Sequence, residues 1–448
     1  MPELTEEPAD TTKELKPVPV QGRWRQLSLL GGTMLVENTE ASLISGLFPV
    51  IRQSLGVSLG ALGVLTAAGR IVGVFAGPFW VWAAQRWSRK GVLVLATGFW
   101  GVWGIAAGFA QNFTQLLILI TVLAAGYAAS GPLTTEILGD LFDSESRGRA
   151  VGMLYGVINL AASLFATLKG QLAGVDDGWR WGLWGIGTVN VLFGVALLLW
   201  MRDPGRGASE QQLAGLDQQT REAHSKVTSK QVTALFRIPS LVILLVSRLL
   251  SGQLLAAAFG VIFLVDVYGF STQVASVVLF PMGIGFFTGT VLGGFLADWA
   301  VRRNPRNGLV IILQAAQFAF ATMAFFGTQF DWGGIGVFAV FFALMGLTQG
   351  INPVVNRPMI MAVTLPELRG AAFAIYLSLF EAVAIATFSL GVGFLGDAFG
   401  LRSVFLWVLV VLVLVNGIFL TLLYRTYATD VACVQRTLED RRRTALAE

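Results

Sequence analysis

Gly294-Phe295-Leu296-Ala297-Asp298-Trp299-Ala300-Val301-Arg302-Arg303 ends one long apolar run and leads into the next. A corresponding basic passage, Ala84-Gln85-Arg86-Trp87-Ser88-Arg89-Lys90, occupies the same place in the first half of the chain. A second pair follows: Glu145-Ser146-Arg147-Gly148-Arg149-Ala150 in the first half, Glu367-Leu368-Arg369-Gly370-Ala371-Ala372 in the second. Matching loops at matching places between apolar runs mean that one unit is present twice. Membrane proteins built from such repeats place a solute site between them, near the middle of the bilayer.

Composition puts the chain in a bilayer. Of 448 residues, 55% are hydrophobic and 13% charged, and mean hydropathy is +0.69, whereas soluble domains carry about a quarter charged residues. The 52 glycines suit helices that approach closely in lipid. Cys433 is the single cysteine, which excludes a disulfide within the chain and a cysteine metal cluster. The lone His224 lies in a polar stretch and reads as a solvated loop residue. No metal and no cofactor are expected. The net charge of +4 requires no nucleic acid, because the cytoplasmic loops of membrane proteins collect Lys and Arg. Residues 1–26 mix acidic and basic side chains without the apolar core of a signal peptide, so the first apolar helix is expected to be retained.

A bilayer core asks for roughly 20 apolar residues per helix. Twelve segments meet that demand, near 28–51, 59–83, 92–110, 115–138, 149–169 and 181–201, then 240–265, 273–297, 308–328, 334–361, 371–396 and 403–424. The predicted organisation is a cytoplasmic segment 1–26, a six-helix bundle 27–201, a linker 202–238 with a short amphipathic helix around Gln211–Glu222, a second bundle 239–425, and a tail 426–448. Basic residues concentrate in the loops after spans 2, 4, 8 and 10 and in the linker. That places this side, with both termini, in the cytoplasm of a multi-pass cell-membrane protein. Trp87, Trp179, Trp181, Trp200, Trp299 and Trp332 fall near span ends and read as interfacial anchors.

Charges inside apolar spans are costly and mark function. Glu37, Glu40, Arg70, Arg248, Arg357 and Glu381 are the ones to explain. Glu37 and Glu40 stand three apart, on one face of span 1. At about 1.5 Å per residue, Glu40 and Arg70 reach similar depth on neighbouring spans, which predicts an ion pair. Arg248 and Glu381 are the corresponding candidates in the second half. A carboxylate in low dielectric takes a proton more readily than one beside an arginine, so Glu37 is the better expected proton carrier, with Glu40 beside it. The alternative is that these groups are static pairs holding helices together. Asn38, Asn159, Gln253, Gln349, Asn352 and Asn356 add neutral polar groups. Asn352-Pro353 and Arg357-Pro358 interrupt span 10, as suits a cavity wall or gate. Arg357 either attracts an anionic head group or marks the helix end.

The loop Gly294 to Arg303 matches the G-x-x-x-D-x-x-x-R-R signature of the major facilitator superfamily, which the chain resembles from about Trp24 to Arg425. Within it, Gln85-Arg86-Trp87-Ser88-Arg89-Lys90, Gly108-Phe109-Ala110-Gln111-Asn112-Phe113 and Gly178-Trp179-Arg180-Trp181 resemble the spinster-type lysolipid transporters and their bacterial relatives. The resemblance implies an all-α membrane protein of twelve transmembrane helices in two six-helix bundles. Helices 3, 6, 9 and 12 lie outermost in that arrangement, and those four spans carry no charge between their ends here. The loops holding Gln85, Arg86 and Arg89 and holding Asp298, Arg302 and Arg303 are then the gates. Gln85 and Val81 replace the Asp and Gly of that signature, so the first gate should be weaker than the one built on Asp298. Thr121 and Val122 stand where many proton-coupled relatives have an Arg in span 4, and span 5 lacks the Gly-Pro signature of drug antiporters.

These readings converge on a secondary active transporter working by alternating access, with protons as coupling ion. Arg70, Arg248, Asn352, Asn356, Arg357 and Glu381 are the expected substrate groups. No phosphate-binding G-x-x-x-x-G-K-[ST] loop occurs, so ATP is not the energy source. The resemblance points to a lysophospholipid-like substrate. A drug efflux pump and a carrier of small organic acids stay open, as does a receptor or scaffold that transports nothing. An enzyme is not expected, and the partners are a small or lipid-like solute, protons and membrane lipids around a monomer.

Overall fold

The computed structural model describes residues 22–142, 144–204, 229–365 and 368–447. The expected helix at Gln211–Glu222, His224, Glu367 and most of the segment 1–26 lie outside those residues, as do the side chains of Arg147, Arg149 and Asn159. The fold is all-α, with twelve membrane spans in two bundles of six. Span 1 is three consecutive helices, Arg23–Ala41, Leu43–Gly46 and Phe48–Leu55. Spans 2 to 6 are Leu59–Arg86, Arg89–Ala107, Phe113–Leu138, Ser144–Gly170 and Gly178–Trp200. Span 7 is Pro239–Leu249 and Gly252–Tyr268, bent by 40° at the break. Spans 8 to 12 are Thr272–Arg303, Gly308–Gln329, Ile335–Val363, Ala371–Phe399 and Leu401–Asp440.

Among the described residues, nine of these helices are long and apolar enough to cross a bilayer by themselves, and the bent pair makes a tenth. The other two crossings, spans 1 and 5, are helical but polar. Span 1 holds Glu37 and Glu40, and span 5 opens with Glu145, Arg147 and Arg149. The gate loops are shorter than their sequence suggested. Gln85 and Arg86 belong to the last turn of span 2, and Asp298, Arg302 and Arg303 to span 8. Span 12 likewise runs on past residue 425, with helix to Ala447.

Span alternation puts the segments 87–88, 304–307 and 364–365 at one end of the molecule, hereafter the basic end. Three clusters of buried side chains show how the halves meet. At the opposite end one continuous core joins both halves, with Phe48, Leu62 and Leu183 from the first and Phe259, Phe320 and Phe405 from the second. Toward the basic end the core divides. Leu27, Ala84, Phe142 and Leu197 form a cluster wholly within the first half, and Leu241, Ile360 and Tyr427 one wholly within the second. The halves are therefore sealed together at one end and parted at the other.

Candidate functional site

Span 2 packs on span 11, and span 5 on span 8, across the seam between halves. Gly63 makes the first contact possible, because a Cβ there would collide with the backbone carbonyl of Ser389. Two polar ties complete the seal. Arg52 Nη1 lies 2.6 Å from Asp266 Oδ2. Asp397, at the end of span 11, accepts hydrogen bonds from the backbone N–H groups of Leu59 (3.0 Å) and Gly60 (2.8 Å). A carboxylate from one half thereby caps the first turn of a helix in the other, where charge and helix dipole agree. Asp397 sits in Gly393-Phe394-Leu395-Gly396-Asp397, the same G-x-x-x-D spacing as Gly294 to Asp298. That repeat was legible in the sequence and was missed.

At the basic end the gate residues behave differently from expectation. Asp298 is exposed, caps no neighbouring helix and makes no ion pair among the described residues. Gln85, Arg86 and Arg302 are also exposed, and the Arg303 guanidinium stacks 5.7 Å from the Trp299 ring centre. Arg89 alone is buried, 4% exposed, and it binds within its own half to Asp140, Asp203 and Glu136 (3.2 Å to the last). It fastens the start of span 3 to the ends of spans 4 and 6 and does not bridge the halves.

The carboxylates of span 1 turn into the first bundle rather than into the space between halves. Glu40 is 1% exposed, and its Oε2 accepts hydrogen bonds from the Tyr127 hydroxyl and from Asn190 Nδ2 (3.1 Å). Asn190 Nδ2 also reaches the Tyr127 oxygen at 2.8 Å. Glu40 Oε1 presses on Gly104, where any side chain would collide with it. Glu37 is 5% exposed, with Ser130 of span 4 and Thr97 of span 3 as the polar groups beside it. Thr97 lies in a π-helical stretch, Val94–Gly98, a widened turn of a kind often found at functional sites. One oxygen of each glutamate has no hydrogen-bond partner among the described residues. The predicted Glu40–Arg70 ion pair is not formed. Span 1 is broken at Ser42 and rotated so that Glu40 meets spans 3, 4 and 6, which a depth count along straight helices does not foresee.

Arg70 instead faces the parting between the halves. It stands two turns beyond Gly63 on the same face of span 2 and is exposed. In the second half, Arg248 Nη2 lies 2.6 Å from Glu381 Oε2, and its guanidinium stands 5.5 Å from the ring centre of Tyr376. Tyr376 belongs to a second π-helical stretch, Ala374–Phe380, and Arg357 lies within electrostatic reach of it. Arg357 itself is exposed. Asn352 and Asn356 point into the second bundle. Asn352 Oδ1 accepts a 2.6 Å hydrogen bond from Gln317 Nε2, and Asn356 is buried with its Oδ1 unpartnered among the described residues. Tyr127 and Asn190 went unrecognised in the sequence, although an asparagine in the middle of an apolar outer span was a signal available there.

The arrangement is that of a carrier: two repeats, a sealed end, an open end, and titratable groups between. Residues 30–337 match the Major Facilitator Superfamily, and the chain belongs to that family of transporters. It is 23% identical over 333 residues to the probable 4-methylmuconolactone transporter of Cupriavidus pinatubonensis, covering 72% of this chain and 73% of that protein. It is 22% identical over 190 residues to protein spinster of Drosophila melanogaster, covering 42% of this chain but only 31% of that relative's length. Its fold matches a solved bacterial homolog of the human lysosomal transporter Spinster, in an inward-facing and occupied conformation, with TM-score 0.75 and 18% identity over 92% of this chain and 99% of that one.

Proposed function

We propose that the protein is a proton-coupled secondary transporter that carries an anionic or zwitterionic amphiphile, lysophospholipid-like in form, across the cell membrane by alternating access. The observation that carries the reading is the pair of carboxylates, Glu37 and Glu40, enclosed in one bundle with no ion-pair partner among the described residues. A buried carboxylate without a cation is held at least cost when it carries a proton. Losing that proton makes the cluster of Tyr127, Asn190, Thr97 and Ser130 reorganise, and span 1 breaks directly after Glu40, so the change reaches the seam between halves. Arg70 and Arg357, exposed on the two walls of the parting, attract the acidic head group. The Arg248–Glu381 pair, already neutralised, stands against the buried Tyr376 in the second half, within electrostatic reach of Arg357.

The basic end faces the cytoplasm by the distribution of Lys and Arg, which makes this state inward-open, and a single chain supplies both walls of the pathway. The fold likeness to an inward-facing spinster homolog supports that assignment. A carrier of small organic acids is the second reading. It is favoured by the name of the Cupriavidus relative and by the same two arginines, which suit a carboxylate as well as a phosphate. Reconstituted protein tests the proposal: uptake of lysophosphatidylglycerol or of an aromatic carboxylate should rise with an imposed proton gradient. Uptake that ignores the gradient for every solute would refute coupling.

A further inference from the structure

Lys169 is the next-to-last residue of span 5, close to the sealed end of the molecule, and it is 7% exposed. A lysine at that height ordinarily extends its amine to the nearby interface. Here the side chain follows the helix tilt toward the middle of the bundle. A Cβ on Gly46 would lie 3.3 Å from its Cε, and its Nζ donates a hydrogen bond to Ser42 Oγ. Ser42 spends its own proton on the Asn38 carbonyl at 2.7 Å, so its oxygen can only accept from the lysine at that contact. An ammonium has three N–H donors. One is used, and three minus one leaves two without a partner among the described residues. No carboxylate stands within ion-pair distance of Lys169 among those residues.

The position relates Lys169 to the solute path. Asn38, Ala41, Ser42 and Ser45 fall on the face of span 1 turned away from Glu40, and Asn38 and Ala41 are exposed there. Span 5 packs on span 8 of the other half just beyond Lys169, where Gly170 abuts Ser276. An unpaired amine in low dielectric holds its charge only when a counter-charge arrives, and this one sits where the pathway ends against the seal.

We propose that the Lys169 ammonium, held in place by its hydrogen bond to Ser42 Oγ, forms an anion-binding station at the sealed end of the pathway, which receives the carboxylate or phosphate of the transported solute. This rests on the reading of the protein as a carrier of anionic solutes and adds a place at the sealed end of the first half, apart from Arg70. Lys169 ties span 5 to span 1 through Ser42, beside the contact of span 5 with the second half, so the arrival of the anion is coupled to the seam that must open.

Direct binding to purified full-length protein in detergent tests the station without requiring transport. The probes are lysophosphatidylglycerol against monoacylglycerol, and benzoate against benzyl alcohol, so the two pairs separate a phosphate source from a carboxylate source. Lys169→Met should weaken binding of at least one anion by about tenfold or more, leave its neutral analogue unchanged, and retain the wild-type elution profile. Lys169→Arg should restore most of the loss. Equal loss for anion and neutral analogue, no loss for either, or a wild type that binds neither anion would overturn the proposal. If the charge-selective loss holds while uptake ignores the proton gradient, the station stands and the coupling reading fails.

Discussion

The two halves share a fold and differ in how they balance buried charge. The second half closes its account locally: Arg248 meets Glu381 at 2.6 Å, under the ring of Tyr376. The first half leaves Glu37 and Glu40 among a tyrosine, an asparagine and two hydroxyls, with no ion pair among the described residues. The comparison teaches that a repeat can keep its helix geometry while pairing buried charge in one copy and enclosing lone carboxylates in the other, the division on which the proposed coupling rests. A balanced pair gains nothing by taking up a proton, whereas an unbalanced carboxylate changes its surroundings when it does.

The sharpest way to break this contrast is to neutralise each side. Glu37→Gln and Glu40→Gln should each abolish gradient-driven accumulation, bringing internal solute down to the external level, while solute exchange survives. Radiolabelled uptake in proteoliposomes reads both. Full accumulation by both variants would remove the distinction between the halves.

In the second half the expected effect is on stability. Arg248→Ala strands Glu381 and should cost about 2–4 kcal/mol, seen as a lower thermal midpoint. The double change Arg248→Met with Glu381→Leu should recover most of it. A double variant as unstable as the single one would mean that the pair does more than balance charge.

Arg89 and Arg86 compare two gate arginines at one end. Arg89→Ala leaves three carboxylates without their common partner and should cost about 2–3 kcal/mol, whereas the exposed Arg86→Ala should stay within about 0.5 kcal/mol. Denaturation midpoints decide between them, and equal costs would contradict the burial difference.

The smallest effect compares the two G-x-x-x-D aspartates. Asp397→Asn keeps one of the two acceptor oxygens and loses the charge on the helix dipole, so it should weaken the cap on span 2 by about 0.3–1 kcal/mol and let the sealed end open more often. Asp298→Asn should act in the opposite sense, and more than Gln85→Ala, on the proposal that Asp298 caps a helix terminus when the basic end closes. Distances between spin labels on the loops before span 2 and after span 9 measure the populations. Identical shifts for the two aspartates would refute their opposed roles.

Much of this was legible before any coordinates. The paired loops predicted the duplication, and the family resemblance put helices 3, 6, 9 and 12 outermost, in agreement with the lack of charge between their ends. Arg248 and Glu381 were matched by depth, and the pair forms although span 7 bends by 40° just beyond Arg248 and a π-helical stretch ends just before Glu381. Glu40 was mismatched with Arg70 because depth along a straight helix carries no azimuth, and the break at Ser42 changes where span 1 points. Tyr127 and Asn190 escaped notice, and Lys169 was counted only as a basic residue of a loop opposite the basic end, for a related reason. Their roles depend on what they face, and hydropathy records only where they lie.

Proton movement itself tests the central claim most directly. Proteoliposomes loaded with a pH-sensitive dye should report a proton flux when lysophosphatidylglycerol or an aromatic carboxylate is added to the wild type. The Glu37→Gln, Glu40→Gln double variant should exchange the same solute with no flux. A proton signal that persists in the double variant, with solute movement intact, would contradict the assignment of coupling to the two carboxylates of the first half.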